Sequence, residues 1–113
     1  MAERRKVKRR HLIYYLRVFD RTNGRQVGHL VDLTADGMML MSERPIRVGR
    51  TIGFRMTLPG SHAQETFEFD ATSLWTSEDV NPDFYDTGFK FEKISRRRLA
   101  QIETLIDDYG FRD

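Results

Sequence analysis

Residues 13–33 read IYYLRVFDRTNGRQVGHLVDL, and this stretch decides the class of fold. Ile13 to Phe19 is rich in β-branched and aromatic residues, the composition of a strand. Thr22-Asn23-Gly24 follows, and Asn-Gly between two apolar runs is the strongest short hairpin signal. Gln26 to Leu33 makes the return strand. Asp32 to Gly37 is a junction in which Gly37 is free to take a positive φ. Met38 to Met41 is a short apolar strand.

The same pattern continues downstream. Pro45 and Gly49 bracket a loop. Phe54 to Leu58 alternates apolar and polar, the period of a half-buried strand. Leu58-Pro59-Gly60-Ser61 turns the chain, and Phe67 to Ala71 alternates again and runs on toward Trp75. Residues 76–83 form a polar turn. Tyr85 to Phe91 is the last strand, with Phe89 and Phe91 on one face. Six short strands at regular spacing make the chain mainly β, a closed or nearly closed antiparallel barrel. A helix ends it: Leu99, Ile102, Ile106 and Tyr109 form one apolar stripe. Ser95 is the expected N-cap and Gly110 the expected stop. The helix is expected to plug one end of the barrel or cover an edge. Arg96, Arg97 and Arg98 fall in its first turn, where the dipole disfavours cations, and are read as solvated surface.

The 113 residues suit one domain with a modest core. Within it, residues 1–11 read as a flexible basic arm and 12–113 as the barrel with its helix. Net charge is only +2, but it is unevenly placed. The first ten residues carry six Lys or Arg against Glu3, whereas the rest carries thirteen basic and sixteen acidic residues, a net −3. A general nucleic-acid binder more often carries its basic face on the folded body. With no cysteine, a disulfide framework, thiolate catalysis and Cys-ligated zinc are excluded. The charged start lacks the apolar stretch of a secretion signal, and no apolar run is long enough to span a bilayer. A soluble cytoplasmic protein without membrane insertion is the expectation.

The arm and the junction carry the chemistry. Arginine keeps its charge at any working pH and presents a planar fork of donors. That fork grips phosphate oxygens and reads O6 and N7 of guanine. Arg5 and Arg9, four residues apart, can work together around one compact ligand. Alone, the arm reads as an unstructured basic tail. At the junction, the Asp32 carboxylate projects where the chain turns and can accept from guanine N1–H and its exocyclic amine together. Thr34 offers a hydroxyl, and Gly37 lets backbone approach a ligand closely. Alone, these residues read as an ordinary Asx or ST turn. Together the two halves match a guanine nucleotide better than a phosphate or a base alone.

Arg5-Lys6-Val7-Lys8-Arg9 and Asp32-Leu33-Thr34-Ala35-Asp36-Gly37 resemble the paired motifs of the PilZ domain family, bacterial receptors for cyclic di-GMP. That family carries R-x-x-x-R before the first barrel strand and [D/N]-x-S-x-x-G after the second. Leu16-Arg17-Val18, Ser73-Leu74-Trp75 and Asp86-Thr87-Gly88-Phe89-Lys90-Phe91 are similar to other parts of its barrel. The resemblance implies a six-stranded antiparallel barrel with a C-terminal helix. It implies that Arg5 and Arg9 bind phosphate and the Hoogsteen edges of guanine, and that Asp32 holds the opposite edge. Thr34 stands where the family usually has Ser. Arg4, directly before the motif, implies uptake of two intercalated ligand molecules rather than one. Trp75 has two readings: strand parity with Phe67 and Phe69 puts it in the core, while the resemblance stacks it on a guanine.

The other candidates carry less. His11, His29 and His62 show no metal-ligand spacing. Glu78-Asp79 and Asp107-Asp108 read as solvated acids, Arg10 as solvated, and Met38, Met39 and Met41 as barrel packing. No nucleophile, acid–base pair or phosphate loop is visible, so neither enzymatic activity nor a cofactor is expected. The leading expectation is a cyclic di-GMP receptor whose arm orders on binding and signals to a downstream protein, in motility or biofilm regulation. It would be a monomer or weak dimer with no DNA partner. The alternative is a small barrel that binds RNA or protein, using the arm as a nonspecific clamp.

Overall fold

A computed structural model describes residues 10–57 and 66–109. The arm residues 1–9, the turn Leu58-Pro59-Gly60-Ser61, His62 and Gly110 lie outside the described residues, as do the side chains of residues 10–15, which include Arg10, His11 and Ile13, and those of Leu105, Ile106, Asp108 and Tyr109. Six strands, β1 (Arg10–Asp20), β2 (Gln26–Leu33), β3 (Gly37–Ser42), β4 (Thr51–Thr57), β5 (Thr66–Glu78) and β6 (Tyr85–Glu92), precede the helix α1 (Arg96–Tyr109). All neighbours pair antiparallel in the order β1-β2-β3-β6-β5-β4, and the sheet closes on itself as a barrel. Closure is made by β1 and β4, with Val18 opposite Met56 and Asp20 opposite Phe54.

Alternation decides which side chains fill the interior. Leu16 and Val18 from β1, Ile52, Phe54 and Met56 from β4, and Phe67, Phe69 and Ala71 from β5 are all buried. Phe54 lies at the centre: its ring is 5.6 Å from that of Phe69 and meets Phe89 edge-on at 5.2 Å, a favourable aromatic geometry. The buried hydroxyls have partners, as interior polar groups must. Ser42 donates to the Arg44 carbonyl at 2.7 Å, and Thr87 pairs with Thr76 at 2.9 Å.

The β1–β2 connection is wider than a two-residue hairpin. Gly24, at φ 75°, lets the chain reverse, while Asp20 and Asn23 accept from the N–H groups two residues on, each at 2.8 Å. The Ser95 hydroxyl accepts the Arg98 N–H at 3.1 Å, the N-cap bond expected of it. Since the barrel is closed, it leaves no edge for α1 to cover. The helix packs against β1 and inserts Ile102 into the core. Arg96 and Arg97 are exposed. Arg98 is not simply solvated: its guanidinium lies over the Phe67 ring at 5.4 Å.

Because Phe54 is fully buried between two aromatic rings, Phe54→Ala is expected to cost about 3–5 kcal/mol of stability. Urea unfolding followed by circular dichroism measures this as a lowered midpoint.

Candidate functional site

The β2–β3 turn is built by Thr34. Its hydroxyl accepts the N–H groups of Asp36 and Gly37, each at 3.2 Å, and its own N–H donates to the Gly37 carbonyl at 2.9 Å. The hydroxyl therefore shapes the turn, as the ST-turn reading expects. The Phe91 N–H donates to the Asp36 carbonyl at 3.0 Å, which fastens the turn to β6. Gly37 does not take the positive φ expected of it; among described glycines only Gly24 and Gly49 do. Its requirement is close approach instead: a Cβ there would run into the Phe89 backbone.

Two irregularities decide what faces outward. In β2 the register against β3 shifts between Leu30 and Asp32, so Leu30 opposes Leu40 but Asp32 opposes Met39. In β5 the register against β6 shifts between Ser73 and Trp75, so Ser73 opposes Phe89 but Trp75 opposes Gly88. Each extra residue reverses the strand's parity. The core reading of Trp75 therefore fails: its side chain leaves the interior and is 41% exposed. Asp32 also departs from expectation. It does not project from the turn but is only 4% exposed, on the strand before it.

The pairings line these residues up across the barrel wall. His11, Asp32, Met39, Gly88 and Trp75 form one row on five neighbouring strands. The indole of Trp75 lies where a side chain of residue 88 would be, and a Cβ on Gly88 would strike its ring. The result is a shallow cleft of about 210 Å³ bounded by Asp32, Thr34, Gly37, Met39, Trp75 and Lys90. Asp36 also lines it. Four of the sequence-derived site residues, Asp32, Thr34, Gly37 and Trp75, thus share one cleft. Arg4, Arg5 and Arg9 lie outside the described residues. The cleft can take a flat apolar ring against Trp75 and Met39 and offer a carboxylate beside it.

Sequence reasoning missed Gly88 and Lys90 as site residues and read Met39 as packing. Met38 is buried, but Met39 lies on the outer face. Near the cleft, on the same face of β6 as Gly88, stands Asp86. Burial raises its pKa to about 6, with contributions from the Asp79 carboxylate and, more weakly, from Asp32. Asp79 is lowered in turn, first by the Asn81 N–H and then by Asp86. Among the described residues no group of three or more His, Asp or Glu could hold a metal ion, and no helix is long and apolar enough to cross a membrane.

Two outcomes follow from this geometry. Trp75 is the sole tryptophan, so its emission reports the cleft. Gly88→Ala is expected to tip the ring into solvent and shift the emission maximum to the red, read by steady-state fluorescence. For Asp86, the folded state holds its proton up to about pH 6, while the unfolded chain releases it near 3.8. In that window the folded state binds more protons, so this group's contribution to stability falls as pH rises from about 4 to 6. Thermal melts across that range are expected to show the fall in the wild type and a flatter profile in Asp86→Asn.

Comparison with known proteins bears on this arrangement. The family model described as PilZ domain matches residues 3–108. No curated protein sequence matches the chain. Among solved structures, the PilZ domain of YcgR from Escherichia coli with c-di-GMP superposes with a TM-score of 0.71 at 19% identity, over 95% of this chain and 92% of that one. The Bacillus subtilis inhibitor of motility (MotI/DgrA) gives 0.70 at 14% identity, over 93% of this chain. The Escherichia coli YcgR structure in complex with c-di-GMP gives 0.70 at 20% identity, over 92% of this chain. This chain spans about half the length of the latter two, 50% and 45%. At these identities the likeness is one of fold, and the family model adds the sequence pattern: the chain belongs to the PilZ domain family.

Proposed function

We propose that this protein is a receptor for cyclic di-GMP, held between the basic arm, read from the sequence as residues 1–11 with Arg10 and His11 already in β1, and the outer wall of the barrel. The observation that carries the reading is the pairing of His11 with Asp32 and of Arg10 with Leu33. The backbone that continues from Arg9 runs beside Asp32, at the cleft that also holds Thr34, Gly37 and Trp75. The two PilZ structures of YcgR with c-di-GMP support the same ligand.

Each group has a task suited to its chemistry. Arg5 and Arg9 supply guanidinium forks to phosphate and to guanine O6 and N7. The Asp32 carboxylate accepts from the opposite guanine edge, and its low exposure makes that pairing stronger than it would be in water. Thr34 acts through the turn it holds. Gly37 keeps that turn pressed on β6, and the Trp75 ring stacks on a base. Arg4 extends the cationic surface so that two intercalated ligand molecules are taken up. The module is read as one that binds its ligand rather than transforming it.

Signalling follows from electrostatics. The arm's charges repel one another until the dianionic ligand bridges them to the barrel, and the ordered arm then presents a new surface to a protein partner. The deciding experiment is calorimetric titration with cyclic di-GMP at fixed salt. The wild type is expected to bind about two molecules per chain and to prefer cyclic di-GMP over GTP and linear dinucleotides. Arg5→Ala and Arg9→Ala are each expected to bind about tenfold or more weakly, since a good bidentate contact to guanine is worth about 1–3 kcal/mol. Undiminished binding by both variants would show the site to be misassigned. Equal binding of many polyanions, lost steeply with salt, would favour a nonspecific clamp for RNA.

A further inference from the structure

We propose that Lys90 on β6 is a third ligand-contacting element, a barrel-borne cation that meets a phosphate of the bound cyclic dinucleotide; this rests on the function proposed above. Among the described residues lining the cleft, Asp32 and Asp36 are acidic and Lys90 is the one cation. A dianion brought against that wall meets two carboxylates, so a cation on the wall itself is needed to offset them. Lys90 is placed for the task by pairing. It stands directly opposite Gly37, the last residue of the Thr34–Gly37 turn, on the strand that pairs with it. The neighbouring Phe91 N–H bonds the Asp36 carbonyl at 3.0 Å, which fixes this part of β6 against the turn.

The lysine is also available. Its side chain is 57% exposed, and its ion pair with Glu92 is long, at 3.9 Å. The same Glu92 oxygen accepts a far shorter bond from the Thr72 hydroxyl, at 2.6 Å. Thr72 in turn shares a 2.7 Å hydroxyl contact with Thr51. Glu92 is therefore anchored by a polar chain that does not require Lys90, and a contact of that length to an exposed lysine holds the ammonium only loosely. Moving from Glu92 to an incoming phosphate exchanges a screened contact for a charge-assisted hydrogen bond.

The test is titration of the 113-residue protein with cyclic di-GMP at several salt concentrations, with amide spectra to check the fold. Lys90→Ala is expected to bind about tenfold more weakly and with a shallower salt dependence, since one ionic contact is gone. Lys90→Arg is expected to restore both. Glu92→Gln, which frees the lysine, is expected to tighten binding about twofold. If the wild type binds and Lys90→Ala matches it in affinity and salt dependence, the assignment of Lys90 is overturned while the receptor reading stands. If the wild type does not bind cyclic di-GMP, the receptor reading falls, and this inference falls with it.

Discussion

One extra residue in each of two strands gives this barrel its character. Val31 in β2 and Leu74 in β5 lie at the register shifts that turn Asp32 and Trp75 to the outer face. Without them, strict alternation would drive the Asp32 carboxylate into a core of Leu30, Leu33, Phe54 and Phe89, where an ionised group without compensation is very costly. It would also force an indole into an interior already filled by three phenylalanine rings in contact. The bulges therefore protect the core and build the cleft in one step. This is the use bulges commonly serve beside functional sites, re-aiming a side chain without giving up the strand.

The fold was largely legible because local signals agreed with one another. Gln26 to Leu33 coincides with an observed strand, and the alternation in Phe67-Glu68-Phe69-Asp70-Ala71 reports the buried face correctly. Ser95 caps the helix it was expected to cap. What local pattern did not reveal depends on contacts between distant residues. Closure through β1 and β4 joins residues nearly forty positions apart, and it decides that α1 serves the core rather than an edge. The side chain of Arg98 likewise finds Phe67, a partner invisible in the charge run Arg96-Arg97-Arg98.

The cleft divides along the same line. Asp32, Thr34 and Gly37 lie within six residues, so their association was readable as a turn motif. The reasons for two of them were not. Gly37 is required by the Phe89 backbone on another strand, and Asp32 is turned to the outer wall by a parity change that no local alternation announces. Gly88, Met39 and Lys90 become site residues only once β3, β6 and β5 are in register. Trp75 shows the limit most clearly. Counting by twos from Phe69 places it inside, and one unpaired residue reverses the answer.

On the proposed function, the uneven charge acquires a physical purpose. A net −3 body and an arm with six basic residues in its first ten attract each other only weakly through water and salt. The wall of the cleft is itself acidic, with Asp32 and Asp36 on its rim and the Asp79–Asp86 pair close by. A dianion would not settle there unaided, because those carboxylates repel it. Under the proposal the ligand would therefore be held only where wall and arm both meet it. Ligand occupancy and arm docking would then become a single event. That coupling is what a sensor needs, and it would arise from where the charges sit along the chain.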